Sequence, residues 1–84
     1  MSREEVFEKL KSIMISTEKN KELKRSEISE DLLLLKDLGF DSIRMLYMAV
    51  LIEETFKIRL ENIKEMKLQT VGDAVDLVQK KING

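Results

Sequence analysis

The 84-residue sequence contains no cysteine and no histidine, and each absence excludes a class of function. Without cysteine the chain cannot form disulfides, thiolate nucleophiles or zinc sites with sulfur ligands. Without histidine it lacks the usual general base and the commonest metal ligand. It also has no proline and only three glycines, a composition that suits helices better than a sandwich or barrel with many turns. These absences predict an all-α protein and exclude most familiar catalytic constellations.

The length and mean composition predict one small domain, which we place at residues 1–84. Apolar residues make up 43% of the chain and charged residues 37%, as expected for a soluble globule. No apolar run approaches the roughly eighteen residues of a membrane span, and the N-terminal residues lack the pattern of a signal peptide. We therefore expect a cytoplasmic protein with no membrane partner. The net charge of −1 also argues against a nucleic-acid partner.

Charge is distributed unevenly along the chain. Residues 26–56 carry two basic and seven acidic side chains, a net charge of −5, whereas the segments on either side are each +2. The middle third either faces a positively charged partner or presents a solvated acidic surface. From charge alone, the solvated surface is the simpler interpretation.

The spacing of apolar residues predicts three longer helices, one short helix and a long connection between the first two helices. The predicted helices cover residues 3 to about 15, 41 or 42 to 56, 61–66, and 70–83, and the last of them begins with a capping-box pattern at Thr70 and Asp73. Residues 17–27 are interpreted as a polar surface loop, and the leucines after it are expected to pin the connection to the core. The inward stripes predict one core shared by the first, second and last helices: Phe7, Met48, Ile52, Phe56, Val75 and Val78.

Several possible sites have simpler interpretations. Asp37 and Asp41 are close enough in sequence to bind a cation together, but the segment between them lacks the alternating ligands of a calcium loop. Methionines at helical spacing indicate core packing rather than a promiscuous binding groove. The basic segment 19–25 is interpreted as solvated loop charge rather than as a phosphate site.

Ser42 is the strongest candidate for a functional residue. A serine beside Asp41 at the first turn of a helix can simply cap the exposed amides. The segment 37–43 (DLGFDSI), however, resembles the attachment motif of the acyl carrier proteins, in which the serine carries 4'-phosphopantetheine. Segments 52–56 (IEETF) and 70–75 (TVGDAV) resemble the end of the second helix and the start of the last helix in that family. The resemblance therefore extends over residues 37–78.

The resemblance implies a small carrier-protein four-helix bundle and a covalent cofactor. A phosphopantetheinyl transferase would attach the arm of coenzyme A to Ser42, with Asp41 completing the motif and capping the helix. Because the chain has no cysteine, the thiol that carries acyl groups as thioesters must arrive on this prosthetic group. The positive end of a helix favours the phosphodiester that joins arm and serine. The implied partners are the transferase and the acyl-loading and acyl-processing enzymes, and a monomer is expected.

The resemblance also implies a docking surface on the second helix. Carriers of fatty-acid synthases commonly have acidic side chains just after the serine, where this chain has Arg44 and Tyr47. The expected partner-binding residues are Arg44, Leu46, Tyr47, Val50, Glu53 and Glu54. The resemblance implies a carrier for fatty-acid-like, polyketide or other dedicated biosynthesis, and the departures favour a dedicated pathway that is polyketide-like or otherwise secondary. The alternatives are an aminoacyl or peptidyl carrier and a helical interaction module without the arm.

Overall fold

The computed structural model describes residues 1–17, 24–60 and 68–83, which form an all-α fold. Its elements are α1 (Arg3–Thr17), a single 3₁₀ turn (Arg25–Glu27), α2 (Ser42–Phe56) and α3 (Val71–Asn83). The three longer predicted helices are confirmed, although α1 extends beyond its predicted end and takes in Thr17. The predicted short helix at 61–66 and residues 18–23 of the predicted polar loop lie outside the described residues. In the described part of the chain, no helix combines the length and apolar character needed to span a membrane.

Helices α1 and α3 both begin at reciprocal capping contacts. At α1, the Ser2 hydroxyl accepts a hydrogen bond from the Glu5 amide at 3.1 Å, and the Ser2 amide donates to the Glu5 carboxylate at 3.4 Å. At α3, the Asp73 amide donates to Thr70 Oγ1 at 3.1 Å and the Thr70 amide donates to Asp73 Oδ2 at 3.0 Å. Each pair satisfies two amides that have no acceptor inside the helix. The capping box predicted at residues 70–73 is therefore confirmed.

The core lies between α1 and the other two helices, because α1 packs against both α2 and α3. Five of the six predicted core residues are buried: Met48, Ile52, Phe56, Val75 and Val78. The prediction was wrong for Phe7, which is only partly buried and packs at the edge of the core, where the Lys11 ammonium lies 4.3 Å from its ring centroid. The stripe of α1 that faces the core is instead Val6, Leu10, Ile13 and Met14, so Phe7 falls on its flank.

The connection between α1 and α2 is fixed to the start of α3. Leu33 and Thr70 form an isolated antiparallel bridge, and the Leu34 amide donates to the Gln69 carbonyl at 2.9 Å. Leu34 is fully buried, which confirms that the leucines pin this segment to the core, whereas neighbouring Leu35 is 66% exposed. The part of the connection that leads into α2 is thus held against the start of α3.

Candidate functional site at the start of helix α2

The turn before α2 is shaped by Gly39 and Phe40. Gly39 has φ +67°, in the left-handed region that L side chains rarely adopt but that glycine adopts without a steric penalty. Phe40 is fully buried, and its amide donates to the Leu34 carbonyl at 2.9 Å. With Phe40 anchored inside, the chain turns outward and exposes both Asp41 and Ser42.

Asp41 is the N-cap of α2, as predicted. Its backbone is extended and its Oδ1 accepts a hydrogen bond from the Arg44 amide at 2.9 Å. Because Asp41 provides the cap, the hydroxyl of exposed Ser42 is not needed for that purpose. Helix geometry leaves the Ser42 and Ile43 amides without intrahelical acceptors. A phosphodiester on Ser42 Oγ would therefore lie beside free amides at the positive end of the helix dipole, so these residues fit a phosphopantetheine arm.

Helix α2 has a second apolar stripe that faces away from the core. We call it the outer stripe: Ile43, Leu46, Tyr47 and Val50, which are 51–77% exposed. These positions follow the i, i+3, i+4, i+7 spacing of a single helix face, so they form a continuous surface that begins next to Ser42. The sequence analysis identified the last three residues of the stripe and missed Ile43. The same spacing, counted back from Leu46 and Tyr47, would have found it.

Two of the predicted partner-binding residues also make contacts within the molecule. Arg44 is half-buried, and its guanidinium donates a hydrogen bond to the carbonyl of Thr17, the last residue of α1. Half-buried Glu53 accepts a hydrogen bond from the Leu60 amide on Oε2 at 2.9 Å, while its carbonyl accepts from Ile58 at 3.2 Å. Glu53 therefore organises the chain that leaves α2. Glu54, in contrast, is exposed.

The acidic middle third of the chain is partly accounted for by such internal contacts. Glu30 pairs with Arg3, and Asp37 Oδ2 accepts from the Leu33 amide at 2.8 Å. Together with Asp41 and Glu53, four of the seven acids in this segment thus stabilise local structure. Within the described ranges, no three acidic side chains come together as a metal site.

Comparisons with known proteins identify the family of the chain. The family model described as a phosphopantetheine attachment site matches residues 9–78. The acyl carrier protein of Thermotoga maritima is 33% identical over 81 residues, covering 96% of each chain. That of Lactobacillus johnsonii is 35% identical over 83 residues, covering 99% of this chain and all of the relative.

Solved structures show the same fold. An acyl carrier protein from Enterococcus faecalis superposes with a TM-score of 0.73 at 26% identity, covering 96% of this chain and 99% of that one. The apo doublet acyl carrier protein from prodigiosin biosynthesis gives a TM-score of 0.63 at 29% identity, covering 92% of this chain and 38% of that one. The predicted all-α carrier fold is therefore confirmed.

Proposed function

Because this chain belongs to the acyl carrier proteins, whose cofactor is covalent 4'-phosphopantetheine, we propose that Ser42 is the residue that carries the arm. The observation that carries the proposal is the exposed Ser42 hydroxyl at the open start of α2, beside a cap already supplied by Asp41. When attached, the arm provides the thiol on which acyl groups are held as thioesters.

The chain contributes to the attachment an accessible hydroxyl oxygen and a helix N-terminus whose electric field favours an anion. Ser42 Oγ forms the new bond to phosphorus and gives up its proton to a base of the transferase, while the nucleotide part of coenzyme A leaves. The first-turn amides and the dipole of α2 then stabilise the phosphodiester anion. On this proposal the protein is a substrate of other enzymes rather than an enzyme. It acts as one carrier domain, and as a monomer in the cytoplasm, where coenzyme A is available.

Intact mass spectrometry after incubation with coenzyme A and a broad-specificity phosphopantetheinyl transferase tests this assignment. The wild-type protein is expected to gain the mass of one arm, and the Ser42→Ala variant none. Ser2→Ala is the matched control, since Ser2 is also an exposed serine at the start of a helix. If Ser42→Ala still gains the arm, the site is wrong. If the wild-type protein gains nothing, the helical interaction module without an arm becomes the better interpretation.

We further propose that enzymes acting on the arm dock on α2. The outer stripe begins next to Ser42, and Glu54 is exposed further along the helix, so a partner that reaches the arm meets these side chains first. Arg44 and Glu53 border this surface. The uncharged outer stripe next to the serine supports a carrier for a dedicated pathway whose enzymes recognise an apolar surface. Polar and charged contacts at the edge of such a surface contribute mainly to discrimination between partners.

The docking proposal is tested with exposed leucines inside and outside the stripe. Leu46→Ser is expected to raise the KM of the transferase or of an acyl-loading enzyme for the carrier. Leu35→Ser is the control, because Leu35 is equally apolar and 66% exposed but does not lie on α2. Equal KM values for the two variants would place the docking surface elsewhere.

A further inference from the structure

Arg44 has an unusual position for a cation. It lies in the first turn of α2, where the positive end of the helix dipole disfavours a positive charge. Its guanidinium does not remain at that end but donates to the Thr17 carbonyl at the C-terminal end of α1. The charge therefore sits at the negative end of a neighbouring helix.

Helix α1 has a place for this charge. No basic residue occupies its own last turn. The carbonyls of a last turn have no acceptor role within the helix, so a donor from outside satisfies them. A cation at this end is also favoured by the dipole of α1. Arg44 thus supplies from α2 a cation at the C-terminal end of α1, and it links this end to the turn that bears Ser42.

We propose that Arg44 is a positioning residue that holds the first turn of α2, and with it Ser42, against the end of α1. It is neither a docking charge nor a ligand of the arm's phosphate. Side chains two residues apart on a helix point to different sides, so the contact with Thr17 turns Arg44 away from the Ser42 hydroxyl. The functional part of this inference rests on the proposed role of Ser42, whereas the link between the helices does not.

The kinetic test compares wild type with Arg44→Met in the transferase reaction with coenzyme A, at low and high salt. Methionine keeps much of the length of the side chain and removes its donors and charge. We expect kcat to fall about tenfold, because a small displacement of the reacting group lowers the rate steeply, with KM and the salt dependence unchanged. Arg44→Lys keeps one charged donor group and is expected to recover part of the rate.

Arg25→Met is the matched control, because Arg25 also ties a neighbouring segment to α1. Its guanidinium donates to the Glu8 carbonyl at 2.6 Å and to Ser12 Oγ at 2.7 Å. Losing that contact should reduce stability and leave kcat unchanged. A rise in KM for Arg44→Met that high salt abolishes would overturn the proposal and make Arg44 a docking charge. Unchanged kcat and KM would overturn it as well.

NMR tests the link without relying on the function of Ser42. In the wild-type protein, a scalar coupling is expected across the hydrogen bond from the Arg44 guanidinium to the Thr17 carbonyl, and its absence would overturn the proposal even if Arg44→Met failed to fold. In folded Arg44→Met, the amides of Ser42 and Ile43 should exchange faster than in wild type, and equal rates would contradict a positioning role. If the wild-type protein cannot be modified at all, the proposed function fails, and the coupling and exchange measurements still decide the role of Arg44.

Discussion

Helices α2 and α3 begin with similar chemistry but in different surroundings. Each has an oxygen-bearing cap, Asp41 for α2 and Thr70 for α3. At α3 the next two amides, of Val71 and Gly72, donate to carbonyls of the connection at 3.0 and 2.9 Å. At α2 the corresponding residue, Ser42, is exposed to solvent. A helix N-terminus attracts anions in general, but only one that the fold leaves open can hold a phosphodiester.

The connection between α1 and α2 accounts for both the covered start of α3 and the exposed start of α2. The carbonyls of Leu32 and Glu30 cover the start of α3, while buried Phe40, a few residues later, fixes the turn that exposes the start of α2. We call the start of α3 the covered end. Arg3 strengthens it, since its guanidinium pairs with Glu30 and lies 2.5 Å from Asp76 on α3. The hydrogen bonds to Glu30 and then to Asp76 raise the pKa of Arg3.

Gly72→Ala should disturb the covered end most. An added Cβ would lie 3.2 Å from both the Glu30 carbonyl oxygen and its Oε1, and the carbonyl is held by its hydrogen bond from Gly72 itself. We expect a loss of about 1 to 3 kcal/mol in the free energy of unfolding, measured by urea denaturation, because buried overpacking has this order of cost. The Val71 amide should also exchange faster.

The sign of this effect is diagnostic. In a helix without a close neighbour, alanine in place of glycine stabilises by up to about 1 kcal/mol. A Gly72→Ala protein more stable than wild type would therefore show that the connection does not press on α3 as described. Attachment of the arm to Ser42 should proceed at the wild-type rate in either case, since the start of α2 is a separate surface.

The carboxylates of Asp41 and Asp73, one at the start of each helix, provide a smaller and more direct comparison. Asp73 accepts from the amides of Gln69 and Thr70, both at 3.0 Å, whereas Asp41 accepts from one amide of the described residues, that of Arg44. Replacing either residue with alanine should cost about 1 kcal/mol, with Asp73→Ala at the higher end of the range. Only Asp41→Ala is expected to slow modification of Ser42, because only that cap orders the turn that bears the serine.

Asparagine variants separate capping from charge at these two positions. Asp41→Asn keeps an oxygen acceptor and should restore most of the stability lost in Asp41→Ala. Transferase assays on the alanine and asparagine variants of both Asp41 and Asp73 measure the rate at which Ser42 is modified. If Asp73→Ala slowed modification as much as Asp41→Ala, the two helix ends would not be independent.

The sequence predicted those features that depend on neighbours along the chain. The boundaries of α2, the Asp41 cap, the Thr70 and Asp73 capping box and the inward stripe from Met48 to Phe56 all follow from spacing and local hydrogen-bonding preference. Ser42 was found through its motif, and its assignment stays a prediction.

Contacts between distant segments could not be predicted in the same way. Nothing in the local pattern indicates that Arg44 bonds to Thr17, 27 residues earlier, or that Glu30 lies against Gly72. Both contacts depend on how segments that are distant in sequence pack together, which requires the tertiary fold. Phe7 was misplaced for a related reason, since periodicity defines a stripe on α1 but the neighbouring helices decide its centre.

The smallest expected effect is a pH dependence confined to the covered end. The hydrogen bonds from the amides of Thr70 and then Gln69 hold the pKa of the Asp73 carboxyl below its ordinary value. A carboxyl whose pKa is lower in the folded than in the unfolded protein stabilises the fold above the unfolded pKa, and this contribution is lost as the pH falls through the folded pKa. Wild type should therefore be more stable than Asp73→Asn at pH 7, and the difference should shrink below about pH 4. Urea denaturation of both proteins at several pH values measures that difference directly.

Comparing the two proteins removes the contribution of Glu8, whose pKa is also lowered, chiefly by its hydrogen bond from Arg25. A difference that stayed constant down to pH 2 would mean that the charge of Asp73 does not contribute to the stability of the fold.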